Sequence, residues 1–508
     1  MTTTSQVREA FCARTDHRAH AAGAPRDLIF DQLKGLPGRE GQRYGNRLRF
    51  CAWMDKAWTV MLSTQGIISR DTARRLLQVL AEADNEQGFG GEEWLKKKLD
   101  GDEDTASAVN LGRTLQEPMA RMQMREALLD VFDDLHQALA GVLDKAEENA
   151  DAMMAGQSHF SHAQPTTYGA YLLAVHDGMT RAMAQIELAY RFTNLNSGGC
   201  GACSGTGWPV DRHLVTELLG FDDTIELTYD CEGSQDEIPQ ILFALSSLAL
   251  TLGRAALDHS IWSLEEINTI ELTPPWLGLS SFMPQKAHSS GRFENIREAC
   301  NEVLGRMMTA VMTFKNESIQ DNLPVYHAPR HALTGCCHAR QLLGLWTAVL
   351  SNTIVNRERM WEIVRNGYSG APDLAITLIR DQHYGGRQAH RICANGVRLA
   401  RERHIKPYEM TGELLDEAAR ITGEPEPHLS TEQVQDAMGL ESFFEKHANV
   451  GDPCPSETHR LIAQRRADLA QARQRQAQRR QHLEQATARL EAEIAALVGL
   501  PATEKTAP

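Results

Sequence analysis

Apolar positions along this chain recur at steps of three and four, the period of a helix with one buried face. Between Arg47 and Ala83 they form two such stretches, divided at Gly66. Leu128, Phe132, Leu135, Leu139 and Val142 mark one long amphipathic helix from about 115 to 154, and Gly156, with no Cβ, suits its C-cap. The next helix begins after Pro165-Thr166-Thr167, and a glycine- and serine-rich loop follows from Asn194 to Trp208. From near Ser234 to Glu266, with Pro239 in the first turn, the chain is apolar nearly all round. About 28 residues at 1.5 Å each give a rod of about 40 Å, which must lie at the centre of a bundle. Helices return over roughly 295–313 and 328–355, and no segment shows the strict alternation of a strand. From about 372 the pattern shortens and turn residues become frequent. In the last helix Ile462, Leu469, Leu483, Leu490 and Leu497 fall at sevens or a multiple, with polar Gln476 in the gap, predicting a packing seam. The expected fold is all-α in three domains: 1–114 with a polar arm over the first 40 or so residues, 115–370 as the long-helix bundle, and 371–508 as a small helical domain with the terminal helix.

Composition narrows the class. With 508 residues, 42% hydrophobic and 6% aromatic, the chain can bury a large core and reads as a soluble helical protein. Its 52 basic against 67 acidic residues, a net of -15, argue against a general nucleic-acid binder. The arginines crowding the last helix, Arg465, Arg466, Arg473, Arg475, Arg479 and Arg480, read as a solvated face before a nucleic-acid patch. The apolar run from Ile238 to Leu252 is too short to span a membrane, and no secretory signal opens the chain. Ten scattered cysteines fit a reducing cytoplasm, and the one CxxC, Cys200 to Cys203, has no second pair to complete a metal site. No metal or organic cofactor is expected.

Three polar or glycine-rich breaks interrupt the long helices, at 110–114, 157–164 and 277–297, and ends of bundle helices are where a site can be assembled from several elements. In the third, LGLSSFMPQKAHSSGRFENIR, Pro284 forbids a helix through Ser280 and Ser281, so the segment is a loop. A serine that takes a carbon-bound proton needs N–H groups or a cation to hold its alkoxide, and Lys286 is the obvious cation. The plain alternative is a solvated surface turn. In the second break, His159 can hold or give a proton near neutral pH, whereas a lone histidine after a helix is more often structural. In the first, Arg113 suits a bidentate carboxylate partner and Asn110 can donate to its other end.

The serine string resembles the GSSxMPxKxN signature of the fumarase/aspartase superfamily, with Leu279 for the glycine and His288 for the asparagine, and Glu294 matches the acid of the family's ExIR. Gly156 to Pro165, GQSHFSHAQP, is similar to GYTHLQRAQP of the argininosuccinate lyase branch, with Ser158 for the threonine and His162 for an arginine. NSGGCGACSGTGWPVDR, NGYSGAPDLA and FKNESIQDN also resemble segments of that branch, and the likeness runs from about residue 47 to 470. It implies an anti β-elimination of an N-substituted aspartate to fumarate and an amine, in homotetramers with a shared twenty-helix core and sites built from three subunits. The roles it implies are Ser280 or its neighbour Ser281 as base, and His159, or a histidine oriented by Glu294, as acid to the leaving nitrogen. Asn110, Arg113, Thr114, Ser158, Gln164, Met283, Lys286, His288 and Gln320 would meet a dicarboxylate substrate. The branch's HTGRSRND is here ASAVNLGRT, and FKNESIQDN loses a tyrosine and a final lysine, so the leaving group differs. Argininosuccinate lyase proper, a relative releasing a diamine, an aminopolycarboxylate or nitrite, and a structural protein without activity are the alternatives.

Family spacing to Lys286 favours Ser280 as the base. Ser280→Ala should therefore abolish fumarate release while Ser281→Ala retains it; unimpaired elimination by Ser280→Ala assigns the proton to Ser281.

Overall fold

In the computed structural model, residues 47–86, 90–114, 118–278, 282–285 and 291–499 are described. Helices α1 (Arg47–Thr64) and α2 (Arg70–Leu80) form the expected pair, and Ser69 caps α2 by accepting from the Thr72 N–H. Four long helices build the bundle: α3 (Met119–Glu148), α4 (Tyr168–Thr193), then, after the short α5 (Arg212–Leu219), α6 (Glu237–Trp262) and α7 (Arg292–Phe314). A fifth, α8 (Pro329–Ser351), closes it, and α6 packs against α4, α7 and α8. By length and composition α6 could cross a bilayer, but more than half of its apolar window is buried inside the bundle.

Contrary to expectation, α3 ends at Glu148 and a β-hairpin follows, β1 (Met153–Ser158) and β2 (Ser161–Thr167), antiparallel. Gly156 is therefore a strand residue. A Cβ there would lie 2.5 Å from the Gln164 carbonyl oxygen, and the register slips between Ala155 and Gln157. The period of two is missing from the sequence because β1 is buried at Met153, Met154 and Ala155 alike and exposed from Gln157 to the tip.

Three larger apolar clusters form. The bundle core is one; a second gathers α1, α2, α5 and the first turn of α3; a third lies within 374–438. The terminal helix α9 (Pro455–Val498) does not pack on that third cluster. Its Ile462, Leu469 and Ala472 join the bundle core, while Leu490 enters the N-terminal core, with Ile494, Leu497 and Val498 packed against it. The seam of sevens is thus an intramolecular one, and buried Gln476 donates to the Leu129 carbonyl (2.8 Å) from its polar position.

The arginines of α9 do not form a free solvated face. Arg465 grips Asp177 through two bonds of 2.7 and 2.6 Å, Arg466 reaches Asp144 and Glu147, Arg480 reaches Asp130 and Asp133, and Arg479 lies over the Phe132 and Tyr190 rings. They pair with acids on the outer faces of α3 and α4, so a basic stripe on one helix is neutralised within the fold.

Because Leu490 completes a core that begins more than 400 residues earlier, Leu490→Ala should cost about 2–4 kcal/mol in chemical unfolding. Arg475→Ala, at the half-exposed pair with Glu187, should cost less than about 1 kcal/mol.

Candidate active site

The bundle has two polar ends. At one, Arg121 near the start of α3 pairs with buried Glu237 at the start of α6 (3.0 Å) and donates to the Phe192 carbonyl near the end of α4 (2.7 Å). At the other, the Tyr168 hydroxyl at the start of α4 bonds His259 near the end of α6 (2.7 Å), whose ring meets Phe293 at the start of α7, centroids 5.1 Å apart. Burial holds His259 at about 4, so the imidazole is neutral, and its other nitrogen faces the Ala255 carbonyl at 2.7 Å. Since α3 has 30 residues, the two ends are about 45 Å apart at 1.5 Å per residue.

The hairpin stands at the second end. Its two-residue turn is His159 (φ 54°) and Phe160 (φ 56°), both left-handed, and Ser158 pairs with Ser161 across it. Successive positive φ values fit the right-handed twist of a hairpin but are disfavoured for side chains with a Cβ. Ser158 and His159 are exposed, and Phe160 is 83% exposed, so the tip projects from the chain. Gln164 is exposed on β2. His162 packs against Gly367 so tightly that no side chain fits there, and partial burial with the Arg401 charge lowers its basicity.

The two sides of the serine loop are rooted at the same end: Arg292 Nε donates to the Trp276 carbonyl (3.3 Å), and Trp276 and Phe293 are both buried. Glu294 is exposed in the first turn of α7, where a carboxylate also favours the helix dipole, and Met283 is exposed. Ser280, Ser281, Lys286 and His288 lie outside the described residues.

The remaining predicted residues gather at the first end. Gly112 (φ 84°) sits so close to Val210 that a Cβ would come within 2.9 Å of it, and the Leu111 carbonyl accepts from Trp58 Nε1 (3.0 Å). That docks 110–114 on the glycine loop. Gln320 is exposed one residue beyond Ile319, which packs on Gly233 at the foot of α6. Thr114 is half-buried, and Asn110 spends its Nδ2 on Glu92 (2.8 Å), leaving Oδ1 buried with no partner.

Arg113 corrects the sequence reading. Its guanidinium has no exposed surface, pairs with buried Asp55 of α1, donates to the Val109 carbonyl (3.1 Å) and lies over Trp58 at 5.8 Å. Burial pushes the Asp55 carboxyl up against the pull of Arg113, and the pair joins the helix core to the loop above it without presenting a cation to a ligand. The signal was present: Asp55 lies within an apolar stretch of α1, and a buried carboxylate requires a cation. As for metals, Cys200 Sγ donates to the Gly201 carbonyl (3.2 Å), and among the described residues the grouping with ligand-like geometry is Asp416, Glu426 and His428, on the small domain far in sequence from all three polar segments.

A family model described as a lyase matches residues 57–305. Argininosuccinate lyase of Methanocaldococcus jannaschii is 28% identical over 425 residues, spanning 80% of this chain and 86% of that protein. The same enzyme of Methanosarcina barkeri is 27% identical over 463 residues, spanning 87% and 93%. Among solved structures, EDDS lyase in complex with formate superposes with a TM-score of 0.85 at 25% identity, covering 94% of this chain and 97% of that one. A fumarate lyase from Mesorhizobium sp. BNC1 (TM-score 0.66, 18% identity, 87% and 99% covered) shares the fold.

Removing one partner strands a buried charge, so Arg113→Met should destabilise the fold by about 3–5 kcal/mol. Adding Asp55→Leu should recover most of it in the same unfolding assay; a fold indifferent to Arg113→Met would return that guanidinium to the substrate.

Proposed function

Because the chain belongs to the fumarase/aspartase superfamily, on its argininosuccinate lyase-like branch, we propose that it is a carbon–nitrogen lyase releasing fumarate and an amine from an N-substituted aspartate. The observation that carries the reading is the hairpin tip. A hydroxyl and an imidazole, Ser158 and His159, are presented to solvent on a turn that two L-residues hold in the left-handed region. Such a turn costs stability and persists where its side chains are needed.

In the proposed mechanism a loop serine, Ser280 or Ser281, takes the Cβ proton, and the C–H electron pair moves into the neighbouring carboxylate as a dianionic aci-acid. Lys286, loop N–H groups and Ser158 hold that charge. The pair then returns to form the Cα–Cβ double bond, the Cα–N bond breaks, and His159 protonates the departing nitrogen. Arg113 and the Asn110 amide N–H are committed elsewhere, so neither stabilises the dianion.

The chain acts as a homotetramer in this reading. One copy holds the hairpin some 45 Å from its own 110–114 segment, a distance no small substrate bridges, and two copies side by side in opposite directions bring unlike ends together. A surface for that association exists on α6: Phe243, Leu250 and Leu257, spaced by sevens, are 59, 54 and 41% exposed on a helix otherwise buried. A contiguous apolar stripe of this length calls for a partner.

Argininosuccinate is the second reading, favoured by the relatives' activity. The ultraviolet absorbance of fumarate, a property of the conjugated diacid, should rise with one or more N-substituted aspartates and stay flat with argininosuccinate. A rise with argininosuccinate selects the second reading; no rise with any aspartate rejects both. Light scattering should give four chains, and a monomer would contradict the shared site.

A further inference from the structure

Gly367 and Gly370 lie in the segment NGYSGAPDLA, Asn366 to Ala375, which joins the helix Arg357–Asn366 to the helix Ala371–Gln382. Their backbones are ordinary: φ -92° and ψ 161° at Gly367, φ -82° and ψ -3° at Gly370. Residues with a side chain adopt such angles freely, so neither position needs glycine for its conformation. Both need it for room. A Cβ on Gly370 would lie 2.4 Å from the Met438 carbonyl oxygen, and one on Gly367 would lie 2.3 Å from His162 Nδ1 and 3.0 Å from its Cε1. An edge of the imidazole thus fills the space that a side chain would take.

The segment is gripped from two sides. Met438 and Tyr368 pack in the small-domain core, the Tyr368 hydroxyl donates to the Ile405 carbonyl (2.5 Å), and Arg401 lies 5.3 Å over the Tyr368 ring. His162 belongs to the hairpin, opposite Gln157 and one rung from the Ser158–Ser161 pair that flanks the turn. The hairpin has a separate hold at its base, where Met153 and Ala155 are buried with Val364 and Phe443. Beyond Ala155 the register slips, and Gln157, Ser158 and Ser161 are exposed. A two-stranded ribbon is marginally stable by itself in water, so a contact one rung from the turn decides where the tip side chains stand. Partial burial and the Arg401 charge lower the basicity of His162, which favours the uncharged ring that close packing on a backbone admits.

We infer that His162 is a positioning residue: seated on Gly367, it sets Ser158 and His159 at the hairpin tip against the small domain. A proton donor displaced by about 1 Å can lose about a hundredfold in rate, so the contact acts on turnover more than on substrate binding. The inference rests on the lyase reading and adds to it what holds the proton donor in place.

The test is a substitution cycle in the intact protein, read by fumarate release and by amide hydrogen exchange. Gly367→Ala puts a methyl where the ring edge stands, so kcat should fall about tenfold or more with KM changed less. His162→Ala alone should cost less, and added to Gly367→Ala it should bring kcat back to that smaller loss, because the methyl then has room. His162→Phe, with a ring of similar shape and no titratable proton, should keep kcat. Exchange over 156–162 should quicken in Gly367→Ala and His162→Ala and stay native in His162→Phe. Native kcat in Gly367→Ala, a double variant worse than Gly367→Ala, or His162→Phe as impaired as His162→Ala overturns the inference, the last by giving the imidazole chemistry of its own. If no aspartate releases fumarate the lyase reading falls, while exchange over 156–162 still decides whether His162 holds the tip. Should Gly367→Ala fail to fold, His162→Ala against His162→Phe decides by the same two readouts.

Discussion

The rigid length of the bundle helices governs everything else in this molecule. A helix of 30 residues separates its two ends by about 45 Å, and α4 and α6, with 26 residues each, run about 39 Å in the same bundle. Polar segments can break the pattern only at those ends, because an irregular backbone inside the bundle would bury unpaired amides. The polar segments therefore lie at two separate places: the hairpin and the roots of the serine loop at one, the glycine loop, 110–114 and Gln320 at the other. Along the side of the bundle, Phe243, Leu250 and Leu257 leave apolar surface of α6 exposed.

Charge is organised by the same geometry. Arg113, Arg121 and Arg125 all point inward near the glycine-loop end. Arg113 and Arg121 meet carboxylates, while Arg125 meets the carbonyls of Leu219 and Gly220 and the Asn194 side chain, stacked 4.5 Å over Phe221. Burial lowers even its basicity to about 10, a measure of how dry that joint is. Arg125 ties α3 to the chain after α5, Arg121 ties three bundle helices together, and Arg113 closes the N-terminal core. The arginines of α9 are likewise spent on the acids of α3 and α4.

The helices were legible from apolar periodicity because each long one has a buried stripe, and α1, α2 and α6 to α8 fall within a few residues of their expected bounds. The hairpin was not legible. Its strands are buried by depth from the base, not by alternate faces, and its turn is made by His159-Phe160 where Asn-Gly would be the usual signal. Arg113 was misread because a guanidinium in a polar segment looks free until its partner is known, and Asp55 lies 58 positions earlier. The ion pairs of the α9 arginines were not legible for the same reason: their acids are some 290 to 350 residues distant, on helices whose outer faces the periodicity cannot align. Motif likeness, by contrast, placed Ser158 and His159 on one loop tip.

Non-glycine residues hold left-handed positions at several places among the described residues, Asp100, Cys203, Gln235, Asn268, His383, His404 and His428 besides the hairpin turn. At the hairpin, glycine would satisfy the left-handed turn without strain, and the chain has His159 and Phe160 instead. Other turns follow the rules closely: Gly66, Gly112, Gly220 and Gly423 occupy left-handed positions as glycines should, and Ser69, Thr167, Asp211 and Thr411 cap their helices. What sets the hairpin turn apart from the other non-glycine left-handed positions is that two such residues stand in succession there, both exposed at the tip of a paired ladder.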